Sequence, residues 1–211
     1  MITYDELLEL IRTRRSIRQF AERPVSRDDL ARLLDAARWA PSNHNRQPWR
    51  FIIIEDRRQI RGLAETVRIG MHDKLKVLPE VAAGYAGELT HYATFFSTAP
   101  VLIAALHKFP IAAASPLWDG VRHPELVSGE PISVAMAMQN LLLAAHALGL
   151  GGCVLTAPLL AANLPEALGL PAGFEITALI ALGHPAESPA APRRKSLEHI
   201  AEFRNHQESE L

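Results

Sequence analysis

Pro131-Ile132-Ser133-Val134-Ala135-Met136-Ala137-Met138-Gln139-Asn140-Leu141-Leu142-Leu143-Ala144-Ala145-His146-Ala147-Leu148, followed by Gly149-Leu150-Gly151-Gly152-Cys153-Val154-Leu155, is the stretch whose reading decides the fold. Proline suits the first turn of a helix, where a missing N–H costs nothing, and Gly149 suits its end. Val134, Met138, Leu141, Leu142 and Ala145 share one face, yet nearly every other face is apolar too. From Pro131 to Pro165 there is no Asp, Glu, Lys or Arg. A bilayer span takes about 20 apolar residues, but Gln139, Asn140 and His146 interrupt this run and Gly149, Gly151 and Gly152 break it. It reads as the central helix of a soluble protein, followed by a short strand at Cys153-Val154-Leu155. Such a helix carries more apolar surface than one 211-residue core hides, so a partner subunit is expected to cover part of it. Met136 and Met138 are read as fillers of that contact.

Working outward, helices and strands alternate around this centre. Thr3 and Glu6 have capping-box spacing, with Ile2 and Leu7 placed as a hydrophobic staple. Tyr4, Leu7, Leu8 and Ile11 then make one apolar face. Ser26 and Asp29 repeat the capping pattern before a second helix whose stripe is Leu30, Leu33, Leu34 and Ala37. Trp49 to Ile54 reads as a strand, 57–96 as two or three helices, and the unbroken apolar run Val101 to Leu106 as an interior strand. Leu159 to Leu168 is helical, and Phe174 to Leu182 is a last strand ending at Gly183-His184-Pro185. The order is α-α-β-α-α-β-α-β-α-β, a sheet between helical layers in one domain spanning 1–211.

Composition narrows the function. The chain is 48% hydrophobic and 21% charged, with net charge −1, which lacks the basic footprint of a nucleic-acid binder. One cysteine, Cys153, allows neither an internal disulfide nor a cysteine zinc cluster; it reads as a small buried hydrophobe. The nine histidines include no short-spaced metal-binding pair. The acidic start, Asp5-Glu6, enters structure at once, and a cytoplasmic location without membrane attachment is expected.

Nucleotide fingerprints fail. Gly149-Leu150-Gly151-Gly152 follows a helix and precedes a strand, whereas a phosphate loop needs the reverse order so that a helix N-terminus meets the anion. Two other segments are chemically richer. Arg14-Arg15-Ser16-Ile17-Arg18 concentrates forked donors and a hydroxyl suited to a phosphate, or is a solvated basic turn. Pro41-Ser42-Asn43-His44-Asn45-Arg46-Gln47-Pro48-Trp49 offers amides suited to the edge of a planar heterocycle, or is an ordinary helix-to-strand loop. Arg193-Arg194-Lys195 is a late third cluster.

Together, Arg14-Arg15-Ser16-Ile17-Arg18, Pro41-Ser42 with Asn45 and Gln47-Pro48-Trp49, the helix ending Ala147-Leu148-Gly149-Leu150-Gly151-Gly152, and Gly183-His184-Pro185 with Arg194-Lys195 resemble the nitroreductase family. The likeness runs in order from Ile11 to about Ile200. It implies an α+β fold with a central mixed, mainly antiparallel sheet flanked by helices, in three layers. It also implies a homodimer holding two FMN molecules at its interface, with residues about 186–211 a swapped C-terminal extension embracing the partner.

On this resemblance Arg14 and Ser16, with Arg15 alongside, would hold the FMN phosphate and ribityl chain, and Arg194 would close on the phosphate with Arg193 or Lys195. Arg18 would lie near N1 and O2 of the isoalloxazine. Pro41, Ser42, Asn43 and Asn45 would edge the ring from the partner subunit, and Leu155, Thr156 and Ala157 would pass N5. His44 and Trp118 are candidate substrate contacts, with Trp39 and Phe109 further aromatics for the pocket. The chain departs from many relatives near Thr156-Ala157 and at His91 and Thr94. The implied activity passes a hydride from NAD(P)H through flavin N5 to small electrophilic acceptors such as nitroaromatics and quinones, by a ping-pong cycle without a dedicated acid or base. Alternatives are a reductive dehalogenase-like or flavin-fragmenting branch, set by a lid at about 65–95 and 108–130, or a non-catalytic flavin-binding protein.

Overall fold

A computed structural model describes residues 1–76, 84–109 and 129–204. Its elements are α1 (Tyr4–Thr13), α2 (Arg27–Arg38), β1 (Trp49–Ile54), α3 (Arg57–Leu75), α4 (Ala86–Thr94), β2 (Val101–Lys108), α5 (Glu130–Ala147), β3 (Gly151–Leu155), α6 (Leu164–Leu168) and β4 (Phe174–Gly183). Short 3-10 turns lie at Asn43–Asn45, Phe95–Thr98, Ala157–Leu160 and Leu197–His199. The order is the one expected. Trp118 and the parts of the expected lid at 77–83 and 110–128 fall outside the described residues.

The sheet runs β1-β2-β4-β3 with every neighbouring pair antiparallel. The expected mixed character shrinks to one parallel bridge, Ser16 to Gly152, outside the strands. Alternate residues of β2 and β4 face opposite ways. Ile103, Ala105, Ile180 and Leu182 join α2 and α5 in one apolar cluster. Leu102, Ala104, Leu106, Leu179 and Ala181 join α3, α4 and α6 in the other. With helices on both faces, the strands read as unbroken apolar runs. Each fully buried Leu or Ile contributes about 1.5–3 kcal/mol of transfer free energy, so the two clusters hold the three layers together.

Helix α1 begins with the expected box: the Glu6 N–H donates to Thr3 Oγ1 at 3.2 Å and the Thr3 N–H to Glu6 Oε2 at 2.7 Å. Its apolar face is not buried within the chain: Tyr4, Leu7 and Ile11 are exposed. On α5 the buried side is Val134, Ala137, Met138, Leu141, Leu142 and Ala145, while Ile132 and Met136 are exposed. The two methionines therefore part company. Two positions turn a helix by roughly 200°, so Met138 packs in the chain's own core and only Met136 stays on the outer face. Among the described residues no helix is long and apolar enough to cross a membrane.

Candidate functional site

The cationic connector is laid along the start of β3. The Ile17 N–H donates to the Gly152 carbonyl at 3.2 Å, forming the Ser16–Gly152 bridge. Gly151 permits this approach, and Gly152 permits the close packing of β3 on β4 and α5. A β-carbon on Gly151 would lie 2.4 Å from Ile17 Cγ1, and one on Gly152 3.2 Å from the Ala181 carbonyl. On the other side, Gly183 lets Pro100 come within 2.5 Å of where its β-carbon would stand. The glycine-rich run after α5 is thus a seat for the connector.

An extended segment sends successive side chains to opposite sides, and that alternation sorts the connector. Arg14, Ser16 and Arg18 act together on the Cys153 thiol, whose pKa burial nonetheless pushes up. Arg15 and Ile17 instead line a cleft of about 250 Å³ with Thr13, His146, Gly151, Pro185 and Glu187. Arg15 is turned back on its own chain, donating from Nη1 to the carbonyls of Arg12 (2.6 Å) and Arg14 (2.9 Å). Among the described residues Arg14 and Arg18 have no carboxylate partner; the Arg18 guanidinium sits 6.0 Å from the centre of the Tyr92 ring.

His146, near the end of α5, lies 2.8 Å from Thr13 Oγ1. Its pKa is lowered by burial first and by the Arg14 and Arg15 charges next. Leu155 ends β3 buried, Thr156 is exposed and Ala157 half-buried, and Thr156 accepts from the Leu159 N–H at 2.9 Å to open the following turn. Cys153, at 6% exposure, is the buried hydrophobe expected.

The second segment is strained. His44, Asn45 and Gln47 have φ of 50°, 52° and 48°, the left-handed region, at about 1–3 kcal/mol each. Such backbone persists only where neighbours hold it. The Gln47 N–H donates to Ser42 Oγ (3.0 Å), and the Asn43 N–H to Ser133 Oγ on α5 (3.2 Å). Arg46 pairs at 3.4 Å with Glu130, which is 4% exposed at the first turn of α5, where the helix dipole favours a carboxylate. Pro41, Asn43, His44 and Asn45 remain exposed and Ser42 half-buried. Trp39, also exposed, borders a cleft with Asn45 and Gln47.

The loop and the connector thus occupy opposite ends of α5. Ser133, which holds the loop, and His146, which meets the connector, are 13 positions apart, about 20 Å along a helix. Arg193, Arg194 and Lys195 are exposed and form no hydrogen bond or ion pair with the connector. No group of three or more His, Cys, Asp or Glu among the described residues could hold a metal ion.

The residues present suit a phosphorylated cofactor: two guanidinium groups that form no salt bridge among the described residues, and a hydroxyl, stand at alternate positions of a segment seated on β3. Sequence reasoning missed Glu187, Tyr92, Glu130, Arg46 and Ser133. Only Glu187 had a local signal, three positions after His184.

These features are those of an oxidoreductase fold class, and residues 11–184 match the family model described as Nitroreductase family. The chain belongs to the nitroreductase family of oxidoreductases. It is 31% identical over 207 residues to an NADH dehydrogenase of Thermus thermophilus, covering 90% of this chain and 92% of that one. A BluB-like flavoprotein of Clostridium difficile has the same fold at TM-score 0.80 and 26% identity, covering 95% and 99%. A protein of Desulfovibrio desulfuricans solved in complex with FMN matches at TM-score 0.68 and 30% identity, covering 96% and 99%.

Proposed function

We propose that this protein is an FMN-dependent NAD(P)H oxidoreductase working as a homodimer, with small electrophilic aromatics, nitro compounds or quinones, as electron acceptors. The observation that carries the reading is the cationic connector itself, with Arg14, Ser16 and Arg18 at alternate positions of a segment seated on β3 by the Ser16–Gly152 bridge and the Ile17 N–H to Gly152 carbonyl bond, β3 leading on to Leu155-Thr156-Ala157. FMN, when bound, would supply the redox chemistry, hydride exchange between the nicotinamide and the acceptor in a ping-pong cycle.

The side chains bind and bias. Arg14 and Ser16 hold the phosphate end by charge-assisted hydrogen bonds, and Arg193, Arg194 and Lys195 close on it from the extension. Arg15, bonded back to its own chain, supports the connector's shape. Arg18 places positive charge where the reduced cofactor is negative, the preorganised stabilisation that needs no acid or base. Pro41, Ser42, Asn43 and Asn45 edge the ring, and His44 contacts the acceptor.

Two-fold symmetry supports the dimer. The exposed stripe of Ile132 and Met136 lies on the first two turns of α5, at its loop end, and Tyr4, Leu7 and Ile11 leave a face of α1 uncovered as well. Two copies packing antiparallel on these faces bring the loop of each to the connector of the other, an isologous contact. The extension that begins at about residue 186 then reaches over the neighbour, burying the exposed Leu197, Ile200 and Phe203; its last residues, 205–211, lie outside the described residues.

The test is colour and turnover without oxygen. The purified protein should be yellow, bleach with NADH or NADPH, and recolour on adding a nitroaromatic or a quinone. A yellow protein inert to both nicotinamides would make it a flavin binder instead.

A further inference from the structure

We propose that Glu187 is a positioning residue of the flavin site, a latch that holds the Arg18 backbone in place and tempers the charge of its guanidinium. The inference rests on the FMN reading above. Glu187 Oε1 accepts hydrogen bonds from two consecutive backbone N–H groups, those of Arg18 and, at 3.0 Å, Gln19. The two segments are stitched further along by the Ala21 N–H to the His184 carbonyl (2.9 Å), the Ala186 N–H to the Gln19 carbonyl (2.9 Å) and the Phe20–Pro185 bridge. The carboxylate supplies the pairing that the Arg18 N–H lacks where the C-terminal extension turns away.

Bonds to an ionised acceptor are roughly twice as strong as neutral ones. The connector is therefore fixed at both ends, by the Ser16–Gly152 bridge and by Glu187. Fixing the Arg18 backbone fixes the origin of the side chain that reaches the site. The carboxylate, bonded to the Arg18 N–H, also sets a negative charge beside the residue that carries the guanidinium. Arg15 of the connector and His146 of α5, whose pKa is lowered, line the same cleft as Glu187. It is the acidic member of a basic cluster. Its signal in the sequence is position alone, immediately beyond the last strand and its Gly183-His184-Pro185 stop.

Three variants separate acceptor from charge. Glu187→Gln keeps an acceptor oxygen and removes the charge, Glu187→Asp keeps the charge and draws the acceptor back, and Glu187→Ala removes both. In the apoprotein, amide hydrogen exchange at Arg18 and Gln19 should quicken by about tenfold or more in the Ala variant and by clearly less in the Gln variant, which keeps a weaker, neutral acceptor. FMN dissociation constants should follow the same order. In the FMN-loaded Gln variant the midpoint potential should rise, because a negative charge near the reduced, anionic cofactor is gone; in the Asp variant it should not. Unchanged exchange in both the Ala and Asp variants, or a Gln variant whose potential equals or falls below the parent's, overturns the proposal. A parent protein that binds no FMN overturns the reading of the site instead, and the exchange rates still decide the latch.

Discussion

Gly151 and Ile17 touch so closely that a β-carbon on the glycine would stand 2.4 Å from Ile17 Cγ1 and 2.8 Å from Ile17 Cβ. The contact joins the first residue of β3 to the middle of the cationic connector. It therefore couples sheet packing to the position of Arg14, Ser16 and Arg18.

Gly151→Ala should push the connector off β3. Overpacking of this kind costs about 1–3 kcal/mol, and the displaced arginines should weaken FMN binding as well. Denaturant unfolding and flavin titration measure the two losses. Adding Ile17→Ala should recover part of the FMN affinity, giving a non-zero coupling in a double-mutant cycle; strict additivity of the two changes would dissociate the contact from the site.

Arg14 and Arg18 should fail in different ways. Arg14→Ala removes a charge-assisted contact and should weaken FMN binding by about tenfold or more, with a shallower salt dependence. Arg18→Gln should lower the flavin reduction potential, read by spectroelectrochemical titration. A potential that does not move downward removes Arg18 from the flavin edge.

Stability should depend on pH through His146. Its folded pKa lies below the ordinary value of 6.5 because of burial and the Arg14 and Arg15 charges. The unfolded chain then binds more protons in that window, so stability rises with pH there. The contribution is present above about 6.5 and is lost as pH falls toward the folded value. Denaturant midpoints of the apoprotein followed from about pH 7.5 down to about pH 5, across the ordinary histidine value, should decline in the parent and flatten in His146→Asn. An identical slope in both would place the dependence elsewhere.

Met136→Glu puts a charge on the uncovered face of α5 without touching the chain's own core. Sedimentation should show a shift toward monomer and the flavin should be lost with it. A monomer that keeps its flavin would refute the split site.

Cys153 should behave as an inert thiol. It is buried, and burial raises its pKa, so little thiolate is available at neutral pH. Labelling by a thiol reagent should be slow in the native protein and fast on unfolding. Rapid native labelling would mean that the connector opens.

Much of this was legible in the chain itself, because local patterns obey local physics. The Thr3–Glu6 box, the Trp49–Ile54 strand and the Pro131 start lie within a residue of where they were expected, each set by capping, alternation or a missing N–H. The connector and the Pro41–Trp49 loop were also visible as candidates, since dense arginine and dense turn residues stand out without coordinates. What each does was not. The start of the left-handed loop is held at the Asn43 N–H by Ser133, 90 residues away, and the connector is seated by a bridge from Ser16 to Gly152.

Residue order by itself determined the succession of helices and strands, the charge-free central helix and the family likeness, since these rest on periodicity and spacing. The tertiary structure decided which faces stay uncovered, which arginines share a side and where a distant carboxylate such as Glu187 lands. Those outcomes are pairings between remote segments, and no local propensity encodes the direction in which a chain returns to meet itself.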